Sequence, residues 1–386
     1  MKQYFDRPKL AAEMARQLLH PGILEVALRS GLFISGQRRT GKTTFLQRNL
    51  IPALEEHGAL VIYVDLWTDT KANPAQLVRR AIVQALQELE KPGSAWLAKL
   101  RKVKALELDA GVFKFGFKVE TVGTPEGPSL AKVITELVDQ AQRDVVLVVD
   151  EVQQAITTEE GGELLLALKA ARDAVNPRPD TPGHFLFVGT GSHRAKVSEL
   201  TTKRTQAFNG ATTIAFPTLG IEYVDFILER LKDANAVQLP SREAAFQAFC
   251  KLGHRPEEML LALRQLQSLE FAGKDVDDTL KIIATTLRTA AADLELGRVE
   301  QLGVLGAAVF ARIAANDGEV TGIFSNEAAA EYSASLNREV KIEEIQPVVN
   351  ELLDANLIMR TGHGRYMVSD PFVQAAWRER NRLIGG

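Results

Sequence analysis

Eight consecutive residues, Gly36-Gln37-Arg38-Arg39-Thr40-Gly41-Lys42-Thr43, have the types and the spacing to hold a phosphate. They fit G-x-x-x-x-G-K-[ST], a loop whose glycines let the backbone wrap close to an anion and aim its N–H groups inward. Lys42 supplies a point charge for the β- and γ-phosphates, and Thr43 supplies a hydroxyl for Mg²⁺. An apolar run, Leu32-Phe33-Ile34, precedes the loop, and a helical pattern from Thr44 to Leu50 follows it. This strand–loop–helix order is the setting the motif requires. The expected ligands are ATP and Mg²⁺, contacted by Gly36 through Thr44.

A second group lies about a hundred residues on. Val145-Val146-Leu147-Val148-Val149 reads as a fully buried strand that delivers Asp150 and Glu151 at its C-terminal end. Ligands bind at that edge of a parallel sheet. Asp150 is suited to hold Mg²⁺ through its water shell, and Glu151 to polarise the water that attacks the γ-phosphate. A third group, Val188-Gly189-Thr190-Gly191-Ser192-His193, ends another apolar run. A hydroxyl there can report the γ-phosphate, with Thr190 and Ser192 both candidates; the plain alternative is a Gly/Ser turn.

The elements that must position these residues alternate between strand and helix patterns. Strands are expected at 32–34, 60–66, 145–149, 184–188 and 212–216, with helices at 74–90, 129–143, 162–175 and 220–233. That order implies an α/β fold with a parallel sheet and helices on both faces. Residues 91–128 form an insert. In it Phe113, Phe115, Phe117 and Val119 alternate with polar residues, the pattern of a strand with one apolar face. Lys99, Arg101, Lys102 and Lys104 lie just upstream, and basic residues beside aromatics can bind single-stranded nucleic acid. Packing of the phenylalanines on the core is favoured, since all point the same way. After residue 235 three helical patterns follow, with Ser241 placed to cap the first. Residues 297–386 hold three more helices, a Gly-containing hairpin around Thr361-Gly362-His363-Gly364, and a last helix through Trp377-Arg378-Glu379-Arg380. Three helices and a hairpin are a winged-helix pattern. The expected division is an ATPase core at 1–235, a helical lid at 236–296 and a winged-helix domain at 297–386.

Composition excludes several classes. The 386 residues are 46 % hydrophobic and 25 % charged, with net charge −3, so no global charge draws the chain to nucleic acid or acidic membranes. The single cysteine, Cys250, forms no intrachain disulfide and is expected to be a small buried residue. The six histidines lack ligand spacing. The polar start does not resemble a signal peptide, and the longest apolar runs are of strand length, so a cytoplasmic location is expected.

Together the loop, Val149-Asp150-Glu151-Val152-Gln153, Gly189-Thr190-Gly191-Ser192, the later Gly253-His254-Arg255-Pro256 and the winged-helix pattern resemble the AAA+/STAND branch of P-loop ATPases, in particular its prokaryotic "archaeal ATPase" group. The Arg38-Arg39 pair and the Asp-Glu-x-Gln order carry much of this resemblance. Phe5-Asp6-Arg7-Pro8-Lys9-Leu10 resembles the segment bordering the adenine, which makes Arg7 a nucleotide-contact candidate. The resemblance implies that Asp150 and Glu151 are the Walker B pair and that Ser192 or Thr190 is sensor 1. It also implies that Arg255, beside Pro256, is a lid arginine able to reach the γ-phosphate. Relatives often carry an arginine where this chain has Ala211, after Phe208-Asn209-Gly210; Arg204 and Arg194 are then the candidates for a finger acting on a neighbour's ATP. An ATP-dependent homo-oligomer depends on one of them.

Two outputs fit such an ATPase. The first is a nucleotide-driven switch acting on a protein partner. The second is an ATP-dependent DNA-binding ATPase of the loader, transposition or defence type, using the wing or the basic insert. Residues 297–386 hold nine Lys/Arg against twelve Asp/Glu. The third helix carries Glu343, Glu344, Glu351 and Asp354 against Lys341, which opposes binding to phosphates. The protein-contact role is therefore the expectation, although Arg360, His363 and Arg365 lie on the wing. A non-hydrolysing scaffold is a third alternative, opposed by the Asp150-Glu151 pair.

Overall fold

Four short apolar runs and a half-exposed edge segment at 212–215 pair into one sheet. The computed structural model describes residues 4–69, 72–94, 96–98, 113–124, 126–268, 273–362 and 364–384. The strands are β1 (Leu32–Ser35), β2 (Leu60–Asp65), β3 (Val145–Asp150), β4 (Phe185–Gly191) and β5 (Thr212–Ala215), in the order β2-β3-β4-β1-β5. All neighbours are parallel. This is the α/β P-loop arrangement expected from the alternating elements.

The pleat divides the core. Val145, Leu147 and Val149 face one layer with Phe33, Phe185 and Phe187, while Val146 and Val148 face the other with Ile34, Leu186 and Val188. The first layer is closed by α4 (Pro74–Glu90), α5 (Leu130–Ala141), α6 (Glu159–Val175) and α7 (Arg194–Thr202). Of these, α7 was not anticipated from the sequence. The second layer is closed by α1 (Pro8–Leu19) and the helix that follows the phosphate loop. That helix begins as α2 (Lys42–Phe45), passes through a π turn at Leu46–Leu50 and resumes as α3 (Ile51–Glu56). Pro52 sits at the restart and has no N–H to give the preceding turn, which accounts for the local widening. Helix starts follow side-chain chemistry: Asn73, Ser129 and Ser241 each accept a backbone N–H at an N-terminus.

Two expectations are corrected. Residues 113–118 keep the alternation, with Phe113 buried and Phe115 and Phe117 packed against the core, but no strand forms there. Phe113 N donates to Leu89 O of α4 at 3.2 Å, and the next partners are side chains of α5. Lys114 N donates to Gln140 Oε1 at 2.9 Å, Gln140 Nε2 donates to Lys114 O at 2.7 Å, and Gly116 N donates to Glu136. A side-chain amide thus stands in for a neighbouring strand. The upstream basic residues 99–104 lie outside the described residues. The second correction is Cys250, which is exposed. Helix α9 (Arg242–Lys251) buries Ala245, Ala248 and Phe249, and position 250 falls off that face.

The chain divides into two compact units, one of Met1–Gly36 with Lys42–Phe216, the other of Gln37–Gly41 with Pro217–Gly386. The second unit contains α8 (Ile221–Asp233), α9, α10 (Pro256–Leu266), α11 (Val276–Gln301), α12 (Gly303–Ala314), α13 (Asn326–Leu336) and α14 (Ile342–Asp354). The antiparallel pair β6 (Ile358–Gly362) and β7 (Arg365–Val368) follows, then α15 (Pro371–Ile384). Helix α11 is 26 residues long and runs unbroken through position 296. Its first half packs on α9 and α10; Ala292, Leu296 and Val299 of its second half join the core of α12 to α15. Val320 bridges Tyr366 of β7, adding a third extended segment to the hairpin. The last helix packs back on α11 and α12.

Candidate active site

Strand order places the chemistry. β4 pairs with both β1 and β3, so the loop after β1, the acids ending β3 and the hydroxyls ending β4 converge at one sheet edge. β4 extends to Gly191, further than the apolar pattern suggests, because Phe33, Ile34 and Ser35 of β1 continue to pair with Gly189, Thr190 and Gly191.

The loop starts tight. Gly36 N donates to Gly191 O at 3.2 Å, and a Cβ on Gly36 would lie 2.9 Å from Phe216 Cβ, so no larger residue fits. Thr40 Oγ1 donates to Gln37 O at 2.9 Å. Gly41 needs its glycine for backbone reasons, with φ at +87°. Lys42 is buried, and its ammonium donates to Gly36 O at 2.9 Å, which folds it back over the loop. Arg38 and Arg39 are exposed, and within the second unit Arg39 Nη1 reaches Glu258 Oε1 at 2.9 Å. Thr44 is exposed on α2.

Asp150 collects donors. Thr43 Oγ1 donates to its Oδ2 at 2.6 Å, Thr190 Oγ1 donates to its Oδ1, and Glu151 N donates to Oδ1 at 3.1 Å. Tyr63 on β2 adds a longer contact to Oδ2 at 3.5 Å and itself accepts from Gln47 at 3.1 Å. Burial raises the Tyr63 phenol pKa, and the Asp150 charge adds to the effect, so this hydroxyl stays a donor. Asp65 pairs in register with Asp150. Its carboxyl pKa is raised first by burial, with Asp150 and Glu151 reinforcing the shift.

Glu151 has φ at +55°, the left-handed region, which turns the chain sharply out of β3. Its Oε2 accepts Ser192 Oγ at 2.8 Å and Ser192 N at 3.3 Å. Thr190 and Ser192, both candidate reporters from sequence, therefore serve different acids. Tyr63, Gln47 and Asp65 were missed by sequence reasoning. Only strand register brings β2 beside β3, and the polar end of the β2 run was the one available signal.

The remaining candidates lie elsewhere. Arg7 precedes α1; its guanidinium sits over Phe216 at 5.3 Å and Phe45 at 5.9 Å. Arg204 is exposed on the connection after α7. In the second unit Arg255 is buried, donates through Nη2 to Asp370 and stacks on Phe372 at 4.3 Å, while Pro256 opens α10. Burial raises the Asp370 pKa, against the opposing pull of Arg255.

The donor set fits Mg²⁺, which takes hard oxygen ligands and commonly binds through one or two protein oxygens plus substrate phosphates. Thr43 and Asp150 are such oxygens at hydrogen-bond distance. Among the described residues no group of three or more His, Cys, Asp or Glu forms an all-protein metal cage. None of the described helices is long and apolar enough to cross a membrane.

Residues 27–197 match the family model described as AAA domain. The Walker-type ATPase PABY2304 of Pyrococcus abyssi has a similar structure, with 18 % identity, TM-score 0.54 and 95 % of each chain covered. The ORC2 protein of Aeropyrum pernix in its ADP form is also similar, at 14 % identity and TM-score 0.58, covering 100 % of this chain and 98 % of that one. No curated protein matches the chain. Gly36 through Thr43, Asp150, Glu151, Thr190 and Ser192 all fall inside the matched segment.

Proposed function

We propose that this chain is a Mg-ATP-dependent switch whose nucleotide state alters its contact with a protein partner. One observation carries the reading: Thr43, Thr190 and Ser192 from two chain segments bond the two carboxylates at the end of β3, beside the phosphate loop. Lys42 and the loop amides would bind the phosphates, and Thr43 and Asp150 would hold Mg²⁺. Bound Mg²⁺ supplies charge neutralisation at the phosphate oxygens. Glu151 takes the proton of the attacking water.

The division into core, lid and winged helix, the STAND affiliation and a cytoplasmic location belong to the same proposal. Helix α11, shared between the packing of α9 and α10 and that of α12 to α15, supports joint movement of the proposed lid and winged helix. A protein partner is supported by the third helix, α14, on which Glu343 and Glu351 are exposed, while Glu344 is half-buried and pairs with Arg338 at 2.9 Å. A second reading takes DNA as the partner, met through the basic residues of the hairpin. Arg360 and Arg365 on the hairpin are exposed, although Arg365 pairs with Glu319 at 3.2 Å. Arg204 is the proposed finger if copies assemble on ATP, and Arg7 and Arg255 are proposed nucleotide contacts.

Phosphate release measured with and without Mg²⁺ tests the enzyme. Lys42→Ala is expected to abolish nucleotide affinity and Glu151→Gln to slow turnover sharply to a measurable residual rate while keeping affinity. Full turnover in either variant defeats the assignment. A gel-shift titration at low salt, with and without ATP, separates the partners: a salt-sensitive shift selects DNA.

A further inference from the structure

The Asp150-Glu151-Val152-Gln153 order contains one polar residue that the proposed mechanism leaves without a task. Gln153 lies in the 3-10 turn Val152–Thr157 that follows β3 and is 2 % exposed. A buried amide needs partners for both its ends. Among the described residues Gln153 has one for its nitrogen only: Nε2 donates to Glu151 Oε2, while Oε1 is buried without a partner. The carboxylate dictates this orientation, since the reversed amide would set oxygen against oxygen. The site also makes room for it. A Cβ on Gly191 would lie 2.1 Å from Gln153 Oε1 and 2.6 Å from Val197 Cγ2.

We infer that Gln153 is a positioning residue for Glu151, acting with Ser192. Three donors, Gln153 Nε2, Ser192 Oγ and Ser192 N, converge on Oε2, and Oε1 receives none of them. The carboxylate is thereby fixed in rotation with one oxygen committed and the other available. In the hydrolytic step a water oxygen bonds to the γ-phosphorus and its proton passes to Glu151 Oε1. The bond from the γ-phosphorus to the β,γ-bridging oxygen breaks, and its electron pair leaves with ADP. Gly191 serves the same end, because its missing side chain is the space Gln153 occupies. The backbone turn at Glu151, with φ at +55°, brings residues 151 and 153 close enough for this contact.

The inference rests on the proposed ATPase reading, and one experiment separates the two. Mg-dependent phosphate release and binding of a fluorescent ATP analogue are measured on the wild type, Gln153→Met, Gly191→Ala, Glu151→Gln and the Gln153→Met/Glu151→Gln double variant. Methionine keeps the length of Gln153 without its donor, and Gly191→Ala displaces Gln153 without changing it. Each is expected to lower kcat by roughly 10- to 100-fold, the scale of a misplaced catalytic group, with KM and analogue affinity held within about twofold. The double variant is expected to be no slower than Glu151→Gln alone, since both changes act through one carboxylate. Normal kcat in both Gln153→Met and Gly191→Ala overturns the positioning role. So does a parallel loss of affinity and kcat, or an additive double variant. A wild type that releases no phosphate defeats the ATPase reading itself, a result distinct from all of these.

Discussion

Thr43 and Asp150 are 107 residues apart in sequence, and the Thr43 hydroxyl donates to the Asp150 carboxylate at 2.6 Å. One follows the first strand of the sheet and the other ends the third, and β4 between them brings both to the same edge. In the proposed site these two oxygens would hold Mg²⁺ together with substrate phosphates.

Removing that hydroxyl should change the metal dependence of turnover more than the fold. Thr43→Val keeps the branched shape and deletes the donor. Asp150 retains Thr190 and the Glu151 amide, so the expected stability loss is about 1 kcal/mol. The Mg²⁺ concentration for half-maximal phosphate release should rise by about tenfold or more, one lost ligand being worth at least about 1.4 kcal/mol. An unchanged Mg²⁺ titration would assign Thr43 a structural role only.

Much of this site was legible because motif residues are local. Gly36, Lys42 and Thr43 sit in one continuous stretch of loop and helix start, and Asp150 and Glu151 end one apolar run. Their companions were harder to read because they arrive through sheet register. Tyr63 and Asp65 reach Asp150 only because β2 pairs with β3. The 113–118 segment shows the opposite failure. Its alternation correctly gave the buried face, but alternation does not specify what pairs with the backbone, and here Gln140 and Glu136 do so. Cys250 was misplaced by its apolar neighbours, although the spacing of Ala245, Phe249 and Leu252 leaves it off the buried face.

The Gln140 contact makes its own prediction. Gln140→Leu preserves volume and removes both backbone bonds to Lys114. Two solvent-exposed hydrogen bonds at about 0.5–1 kcal/mol each give an expected loss of about 1–2 kcal/mol. Amide hydrogen exchange should accelerate at Lys114 and Gly116 while β3 stays protected. Exchange unchanged at both sites would mean that the phenylalanines alone anchor the insert.

The Arg255–Asp370 pair ties the start of α10 to the start of α15, and Asp370 Oδ1 also accepts Phe372 N at 2.9 Å. Asp370→Ala leaves the guanidinium buried without its charge partner, at an expected cost of about 2–4 kcal/mol in urea unfolding. Asp370→Asn keeps the cap and tests the charge through pH. Burial holds the Asp370 pKa above its ordinary value, so the folded state binds this proton more tightly than the unfolded chain does. The group's own contribution to stability is then largest at pH below the ordinary carboxylate pKa and declines as pH rises through the raised value. The asparagine variant cannot titrate there. The stability of the wild type relative to Asp370→Asn should therefore fall with rising pH across that window and level off above it. A difference that grows with pH would show instead that Arg255 outweighs burial and holds the carboxyl below its usual range.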